Sequence, residues 1–235
     1  MTELNKILNR ANKIVFLTGA GVSTASGIPD YRSKNGLYAQ KKTPEYLLSH
    51  TCLIREPETF YQYVKHNLYY PNSKPNIIHK KMAAFAKAGK AIIITQNIDN
   101  LHGQSGVPVD RLVEFHGNLY KIYCQKCHQR VPYQTYLQSM HHQNCGGILR
   151  ADVVLYEEGI KQENLQKSVL ALQQADTIVV CGTSFVVYPF AGLIEYRNSN
   201  AKVVAVNKET ISLPEKGIMI KGDAVQEFEQ VTIKA

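Results

Sequence analysis

Between Thr95 and Cys127 the chain reads TQNIDNLHGQSGVPVDRLVEFHGNLYKIYCQKC, a stretch that sets amides, a carboxylate and an imidazole close together. Gln96, Asn97 and Asp99 follow an apolar run, Ala91 to Ile94, with the length and β-branching of a buried strand. They fall just past a strand's carboxyl end, the edge where ligands bind in open α/β sheets. A second β-rich run, Arg111 to Phe115, then delivers His116 and Gly117. Polar side chains at the ends of two strands could make a site, and the cysteine pair behind them a metal-held module.

Cys124 and Cys127 form a Cys-x-x-Cys pair, and downstream only Cys145 is near enough to join them. Counting back from Cys145 by the same spacing lands on His142. Imidazole nitrogen is a normal zinc ligand and Cys3His a standard set, so Cys124, Cys127, His142 and Cys145 are expected around one Zn²⁺. Four protein ligands leave no open position, so the ion would be structural and the small module would depend on it to fold. His128 and His141, each beside an expected ligand, are rivals; a lapsed site with Cys145 as a buried thiol is the bland alternative.

The elements that must position these groups alternate along the chain. An amphipathic helix, Glu3 to Asn12, puts Leu4, Ile7, Leu8 and Ala11 on one face. The strand Ile14 to Thr18 runs into Gly19-Ala20-Gly21, and a helix Ile77 to Lys87 precedes the strand at Ala91. Further on come a helix near Lys161 to Gln174, the strand Thr177 to Cys181 with Gly182-Thr183-Ser184 at its end, and the strand Lys202 to Val206, ending at Asn207 and Glu209. Strands alternating with helices across glycine turns predict an α/β fold: a Rossmann-like, doubly wound parallel sheet. Lys34 to Asn76 changes to tyrosines, charges and prolines and reads as short helices and loops. The expected division is 1–33, 76–120 and 149–235 for the sheet domain, with 34–75 and 121–148 together making an inserted helical and zinc-binding domain.

Composition narrows the class. The chain has 235 residues, 44% hydrophobic and 20% charged, which suits a folded globular protein. Lys and Arg outnumber Asp and Glu 27 to 19, a net charge of +8. That excess favours an anionic partner or is dispersed over the surface, and no block of five like charges decides between them. The apolar run Ile14 to Leu17 is too short for a signal-peptide core, and nothing approaches the ~20 apolar residues of a membrane span. A soluble, cytoplasmic protein is expected, in which a Cys-x-x-Cys pair favours metal over disulfides.

A glycine turn between strand and helix admits a diphosphate, with helix N-terminal amides as the anion site. Alone, Gly19-Ala20-Gly21 is a weak signal that also suits a plain structural turn. The third glycine of the dinucleotide fingerprint is replaced by Thr24, and Glu45, the acid about 20 residues on, follows Thr43-Pro44 instead of ending a strand, so an ordinary dehydrogenase fits poorly.

The longer stretch GAGVSTASGIPDYRS, Gly19 to Ser33, resembles the GAGxSxxSGIPDFRS signature of the sirtuins, NAD-dependent protein lysine deacylases, here of bacterial type. Tyr31 stands where phenylalanine is usual. TQNID at Thr95 to Asp99, His102-Gly103, FHG at Phe115 to Gly117, the cysteines, GTS at Gly182 to Ser184 and VNKE at Val206 to Glu209 continue the resemblance in family order. It implies that NAD is consumed as a co-substrate and that the acyl group passes from lysine to ADP-ribose, releasing nicotinamide. It implies His116 as the general base toward a ribose hydroxyl, a role suited to an imidazole that titrates near working pH, against the bland reading of a buried core histidine.

By the same resemblance Asp99 and the Ile98 backbone hold the nicotinamide amide, Asn97 positions water and ribose, and Gln96 bonds a ribose hydroxyl. Gly19, Ala20, Gly21, Ser23, Thr24, Asp30, Tyr31 and Arg32 line the diphosphate and nearby ribose. Gly182, Thr183, Ser184, Asn207, Glu209, Asp223 and Ala224 serve the adenosine end. Acyl-lysine peptides would add as a strand between Val153, Val154 and Tyr156 on one side and Val187 on the other. No stable nucleic-acid or membrane partner is implied.

Two positions depart in ways that bear on substrate. Where sirtuins that take acidic acyl groups have Tyr-x-x-Arg, this chain has Tyr61-Gln62-Tyr63-Val64, which favours neutral acyl groups, acetyl first. Glu157 stands where the family motif of the peptide-binding loop has glycine, removing a backbone freedom. Protein mono-ADP-ribosyl transfer and a non-catalytic zinc-bearing nucleic-acid module are the rival functions.

Overall fold

The computed structural model describes residues 2–30 and 42–233. Helix α1 (Glu3–Arg10) starts at Thr2, whose hydroxyl accepts the Asn5 N–H, an N-cap that satisfies one of the orphan donors of the first turn. Strand β1 (Ile14–Thr18) is buried along its whole length, as an apolar run in the middle of a parallel sheet must be. Three helices follow the undescribed stretch: α2 (Pro44–Leu47), α3 (His50–Arg55) and α4 (Pro57–Asn67). Then come α5 (Ile77–Lys87), β2 (Ala91–Thr95), α6 (Leu101–Gln104), β3 (Leu112–Glu114) and β4 (Gly117–Cys124). Next are β5 (Arg130–Val131), α7 (Tyr133–Gln138) and β6 (Leu149–Val153). The chain closes with α8 (Gln162–Gln174), β7 (Thr177–Cys181), β8 (Lys202–Asn207), β9 (Ile218–Lys221) and α9 (Ala224–Glu229).

Six strands form one parallel sheet in the order β3-β2-β1-β7-β8-β9. From β1 the chain first winds outward through β2 and β3, then returns to lay β7 on the other side of β1 and winds the opposite way. The reversal lies between β1 and β7, and a sheet of this kind opens a crevice there at its carboxyl edge. The two faces are covered separately, as the alternation along β1 requires. Ile14 and Phe16 pack with Leu4, Met82, Phe85 and Phe228 from α1, α5 and α9. Val15 and Leu17 pack with Ala171 and Leu172 of α8 and with Leu193. Phe16 is fully buried, and truncating it to alanine would cost roughly 3–5 kcal/mol through lost transfer energy and the cavity left behind.

The predicted α/β class, parallel sheet and inserted small unit are all present. Two elements differ from the sequence reading. Leu149 to Val153, expected to open the return to the large sheet, pairs antiparallel with β4, and β5 completes a separate three-stranded sheet. Its partner lies before the metal loop, so closure of that loop decides the pairing. Strand β9, not expected at all, adds the sixth strand beside β8; it is short and follows Pro214 and Gly217, which read locally as loop. A third core joins α2–α4 to α7 and the small sheet through Leu47, Leu53, Phe60, Val64, Ile122, Tyr136 and Leu149. No helix among the described residues is long and apolar enough to cross a membrane.

Candidate active site

At the carboxyl edge of the sheet the turns after β1 and β7 pack backbone on backbone. Gly19 N–H donates to Cys181 O at 3.2 Å and Gly21 N–H to Gly182 O at 2.8 Å. A Cβ on Gly21 would lie 2.8 Å from Gly182 Cα, and one on Gly182, which has φ +62°, would meet Val22 N at 2.5 Å. Both glycines are therefore demanded by the contact between the turns, whatever ligand lies over them.

Around these turns a polar cluster draws on the ends of β1, β2 and β7. Ser23, 1% exposed, donates its hydroxyl to Asp99 Oδ2 at 2.6 Å and accepts from Asn97 Nδ2 at 3.1 Å. Asn97 Nδ2 also reaches Gly19 O at 3.1 Å, and Gln96 Nε2 donates to Thr183 Oγ1 at 3.0 Å. Asp99 Oδ1 accepts the Leu101 N–H at 2.9 Å. Burial raises the Asp99 carboxyl above its ordinary value, and the bonds from Ser23 and Leu101 pull it partly back. The carbonyl of Ile98, next to this cluster, accepts the Leu119 N–H at 2.9 Å.

His116 arrives from the turn between β3 and β4. Its Nδ1 lies 3.2 Å from Gln96 O; a carbonyl can only accept, so Nδ1 carries the proton and Nε2 keeps its lone pair. The ring is half-buried near Phe115 and Phe190. Burial lowers its pKa from the ordinary histidine value, with the Gln96 carbonyl acting the other way. The His116 carbonyl accepts the Val154 N–H at 2.9 Å, which joins this turn to the segment after β6. Val153 and Val154 help line an apolar cavity of about 70 Å³ together with Phe60, Val64, Ile98 and Leu119. An imidazole with one fixed donor and one acceptor nitrogen, set beside buried amides and a carboxylate, can take and return a proton.

Other described residues expected at the site lie at or after the ends of β1, β6, β7, β8 and β9. Thr24 is exposed and donates its hydroxyl to Gly21 O, while Ala20, Asp30 and Ser184 are half-buried. Tyr31 and Arg32 lie outside the described residues. Asn207, at the end of β8, donates to Glu209 O at 3.0 Å, and Glu209 itself is exposed. Asp223 accepts the Val225 N–H as N-cap of α9 and faces Lys208 at 3.3 Å. Ala224 is 8% exposed with its side chain in the core, so only its backbone can serve a ligand. Tyr156 is exposed, and Val187 is half-buried between exposed Val186 and Tyr188.

Sγ of Cys124, Cys127 and Cys145 and a ring nitrogen of His142 all lie within 4.8 Å of one another. Cys145 Sγ is 3.5 Å from Cys124 Sγ and 3.5 Å from Cys127 Sγ. His142 Nδ1 is 3.3 Å from Cys127 Sγ and 3.2 Å from Cys145 Sγ. Zinc–sulfur bonds of ~2.3 Å at tetrahedral angles put sulfurs about 3.8 Å apart, so the set fits one Zn²⁺ with small adjustment. Among the three candidate histidines it is His142, 5% exposed, that turns inward. His141 is exposed and pairs through its backbone with Ile148.

The Sir2 family sequence pattern matches residues 19–189. The chain belongs to the Sir2 family. It is 56% identical over 231 residues to an NAD-dependent protein deacetylase of Listeria monocytogenes serovar 1/2a, covering 98% of this chain and 100% of that one. It is 55% identical to an NAD-dependent protein deacetylase of Lactiplantibacillus plantarum, covering 99% of each. Among solved structures, a Sir2 complex with a p53 peptide and NAD⁺ superposes with a TM-score of 0.84 at 31% identity, covering 98% of this chain and 96% of that one.

The residues of this Sir2-family chain suit NAD. At the strand-order reversal the hydroxyls of Ser23 and Thr183 and the amides of Gln96 and Asn97 gather at the sheet's carboxyl edge, where they can meet phosphate and ribose oxygens, while Gly19, Gly21 and Gly182 let the turns after β1 and β7 pack together.

Two polar residues, Asn76 and His79, escaped the sequence reading, and His102 was noted there only as part of a motif. Asn76 Nδ2 donates to Val22 O at 2.8 Å and Ser26 Oγ at 2.9 Å, so the cap of α5 holds the loop after β1. His79, one turn into α5, and His102 meet edge to face at 4.8 Å between ring centroids, and His102 Nε2 meets Thr18 Oγ1 at 3.1 Å. The spacing Asn76-x-x-His79 at a helix start was a legible capping signal; nothing local points to the His79–His102 contact.

Proposed function

We propose that this chain is an NAD-dependent protein lysine deacylase, acting first as a deacetylase, with His116 as its base. The observation that carries the assignment of the base is the Gln96 carbonyl against His116 Nδ1, which leaves Nε2 as the acceptor at the edge where Asn97, Ser23 and Asp99 converge. When bound, NAD supplies a glycosidic bond whose cleavage frees nicotinamide and makes ADP-ribose the acyl acceptor. With NAD bound, His116 Nε2 would accept the proton of a ribose hydroxyl, so that the ribose oxygen could bond to the acyl carbon as the lysine amine leaves. Asp99 and the Ile98 backbone orient the nicotinamide amide; Asn97 and Gln96 position the ribose and water. Gly19, Ala20, Gly21, Ser23, Thr24, Asp30, Tyr31 and Arg32 serve the diphosphate end, and Gly182, Thr183, Ser184, Asn207, Glu209, Asp223 and Ala224 the adenosine.

The substrate is an acyl-lysine protein segment, laid as an added strand between Val153–Tyr156 and Val187. Val64 in the wall of an apolar cavity supports neutral acyl groups, since an acidic acyl chain would bury its carboxylate there without a partner. A structural Zn²⁺ held by Cys124, Cys127, His142 and Cys145 braces the small unit. That unit comprises α2–α4, the metal loop and its sheet, and the six-stranded sheet carries the nucleotide. The cytoplasm is the compartment that keeps five unbridged cysteines reduced.

Incubation with NAD and an acetyl-lysine peptide tests this reading. Free lysine peptide, nicotinamide and O-acetyl-ADP-ribose are expected. ADP-ribosylated protein without deacylation would replace it with mono-ADP-ribosyl transfer, and intact NAD would end both. A panel of acetyl-, butyryl- and succinyl-lysine peptides checks the acyl preference, with succinyl turned over least.

A further inference from the structure

The segment after β6 is tied to the start of α3 by a set of bonds that the catalytic reading does not use. Tyr156 N–H donates to Leu48 O at 3.0 Å, and His50 N–H donates to Tyr156 O at 3.0 Å. The Glu157 carboxylate accepts both the Thr51 N–H at 2.9 Å and the Thr51 hydroxyl at 2.7 Å. Glu158 accepts from Arg150 at 2.8 and 3.0 Å and from the Leu155 N–H at 3.0 Å, and meets His50 Nδ1 at 3.0 Å. Two first-turn donors of α3, from His50 and Thr51, are thus satisfied by residues more than a hundred positions away, while Ser49 Oγ caps Cys52 N–H locally. The loop and the helix act as each other's terminators.

Glu157 holds φ at +73°, a left-handed conformation that an L side chain with a Cβ adopts only against a steric cost. There the Glu157 carboxylate is aimed back at Thr51. Glu157 follows directly on Tyr156, which is exposed, and lies three residues after Val154, whose N–H is bonded to His116 O.

We propose that Glu157 is a positioning residue for substrate, which through Thr51 locks the backbone edge that receives the acyl-lysine peptide. The inference rests on the reading of Val153 to Tyr156 as the peptide edge. Removing the lock loosens that edge without touching the nucleotide crevice, so it acts on peptide affinity and spares both NAD use and the chemical step.

The test is steady-state kinetics of the full chain with an acetyl-lysine peptide and NAD, for the parent, Glu157→Gly, Glu157→Gln and Thr51→Val. Glycine suits the left-handed backbone and removes the carboxylate, so it keeps the fold while breaking the lock. Expected is a peptide KM raised about tenfold in Glu157→Gly, from the loss of a charge-assisted bond pair, with kcat and the KM for NAD within about twofold of the parent. Thr51→Val is expected to move the same constant in the same direction, and Glu157→Gln, which keeps an acceptor oxygen, to restore most of it. If Glu157→Gly lowers the melting temperature but leaves the peptide KM unchanged, the bond is structural only and the proposal fails. The same holds if the KM for NAD moves with it. A parent that consumes no peptide overturns the deacylase reading itself, whereas a parent that deacylates alongside indifferent variants overturns the lock alone.

Discussion

His116 Nδ1 faces the Gln96 carbonyl at 3.2 Å, and the Gln96 side chain reaches across the sheet edge to Thr183 Oγ1 at 3.0 Å. One residue therefore sets the tautomer of the imidazole with its backbone and links the β2 and β7 turns with its amide. His116→Ala removes the base and leaves that link. Deacylation by this variant should fall by at least about two orders of magnitude, with NAD affinity kept within a few-fold, measured by peptide turnover and by NAD titration.

Because burial lowers the His116 pKa, the neutral ring prevails at pH 7. The acid limb of kcat/KM should lie below the ordinary histidine value of ~6.5, with a plateau above it. A limb centred above pH 7 would mean that another group carries the proton.

His79 and His102 place the acid sensitivity of the fold. Burial lowers His79 to about 4, and burial followed by the neighbouring His79 lowers His102 well below its ordinary value. Among the described residues neither His79 Nε2 nor His102 Nδ1 finds a hydrogen-bond partner. The unfolded chain takes up protons at these rings near ~6.5 and the folded chain resists, so this stability is complete above pH ~6.5 and is lost as pH falls through about 4. Melting temperature should decline from pH 6.5 toward 4.5, before carboxylates titrate, and His79→Gln should flatten part of that slope. A slope identical to the parent's would remove His79 from the account.

The bond from Ser23 to Asp99, 2.6 Å long, joins residues 76 positions apart. Asp99→Asn keeps the shape but loses the carboxylate that accepts from Ser23 and would orient the nicotinamide amide. We expect kcat/KM for NAD to fall by about tenfold or more, read by nicotinamide release, with zinc content unchanged.

Purified protein should carry one zinc per chain. His142→Ala should hold less than about half an equivalent and melt at lower temperature, while His141→Ala should match the parent. Elemental analysis beside thermal melts distinguishes the two, and equal loss from both variants would move the fourth ligand.

Much of this molecule was legible before any coordinates. β1, β7 and α5 follow from runs whose periods are local properties of the chain, and the expected metal set came from counting residues between cysteines. What escaped was every feature made by distant partners. β6 left the large sheet because β4 offered it an antiparallel edge, and β9 became a strand only because β8 lay open beside it. His79 fell in a predicted helix and His102 in a motif 23 positions later; only the packing of α5 against α6 brings their rings together.

Glu157 shows the division most plainly. From its type alone it was a departure that weakened the peptide loop. The tertiary structure makes it a bonded cap, because Thr51, 106 positions earlier, is carried to within 2.7 Å of its carboxylate. Spacing and pattern are short-range and survive in a bare string of residues. The meaning of a single polar side chain depends on which donor the folded chain delivers to it, and close packing decides that.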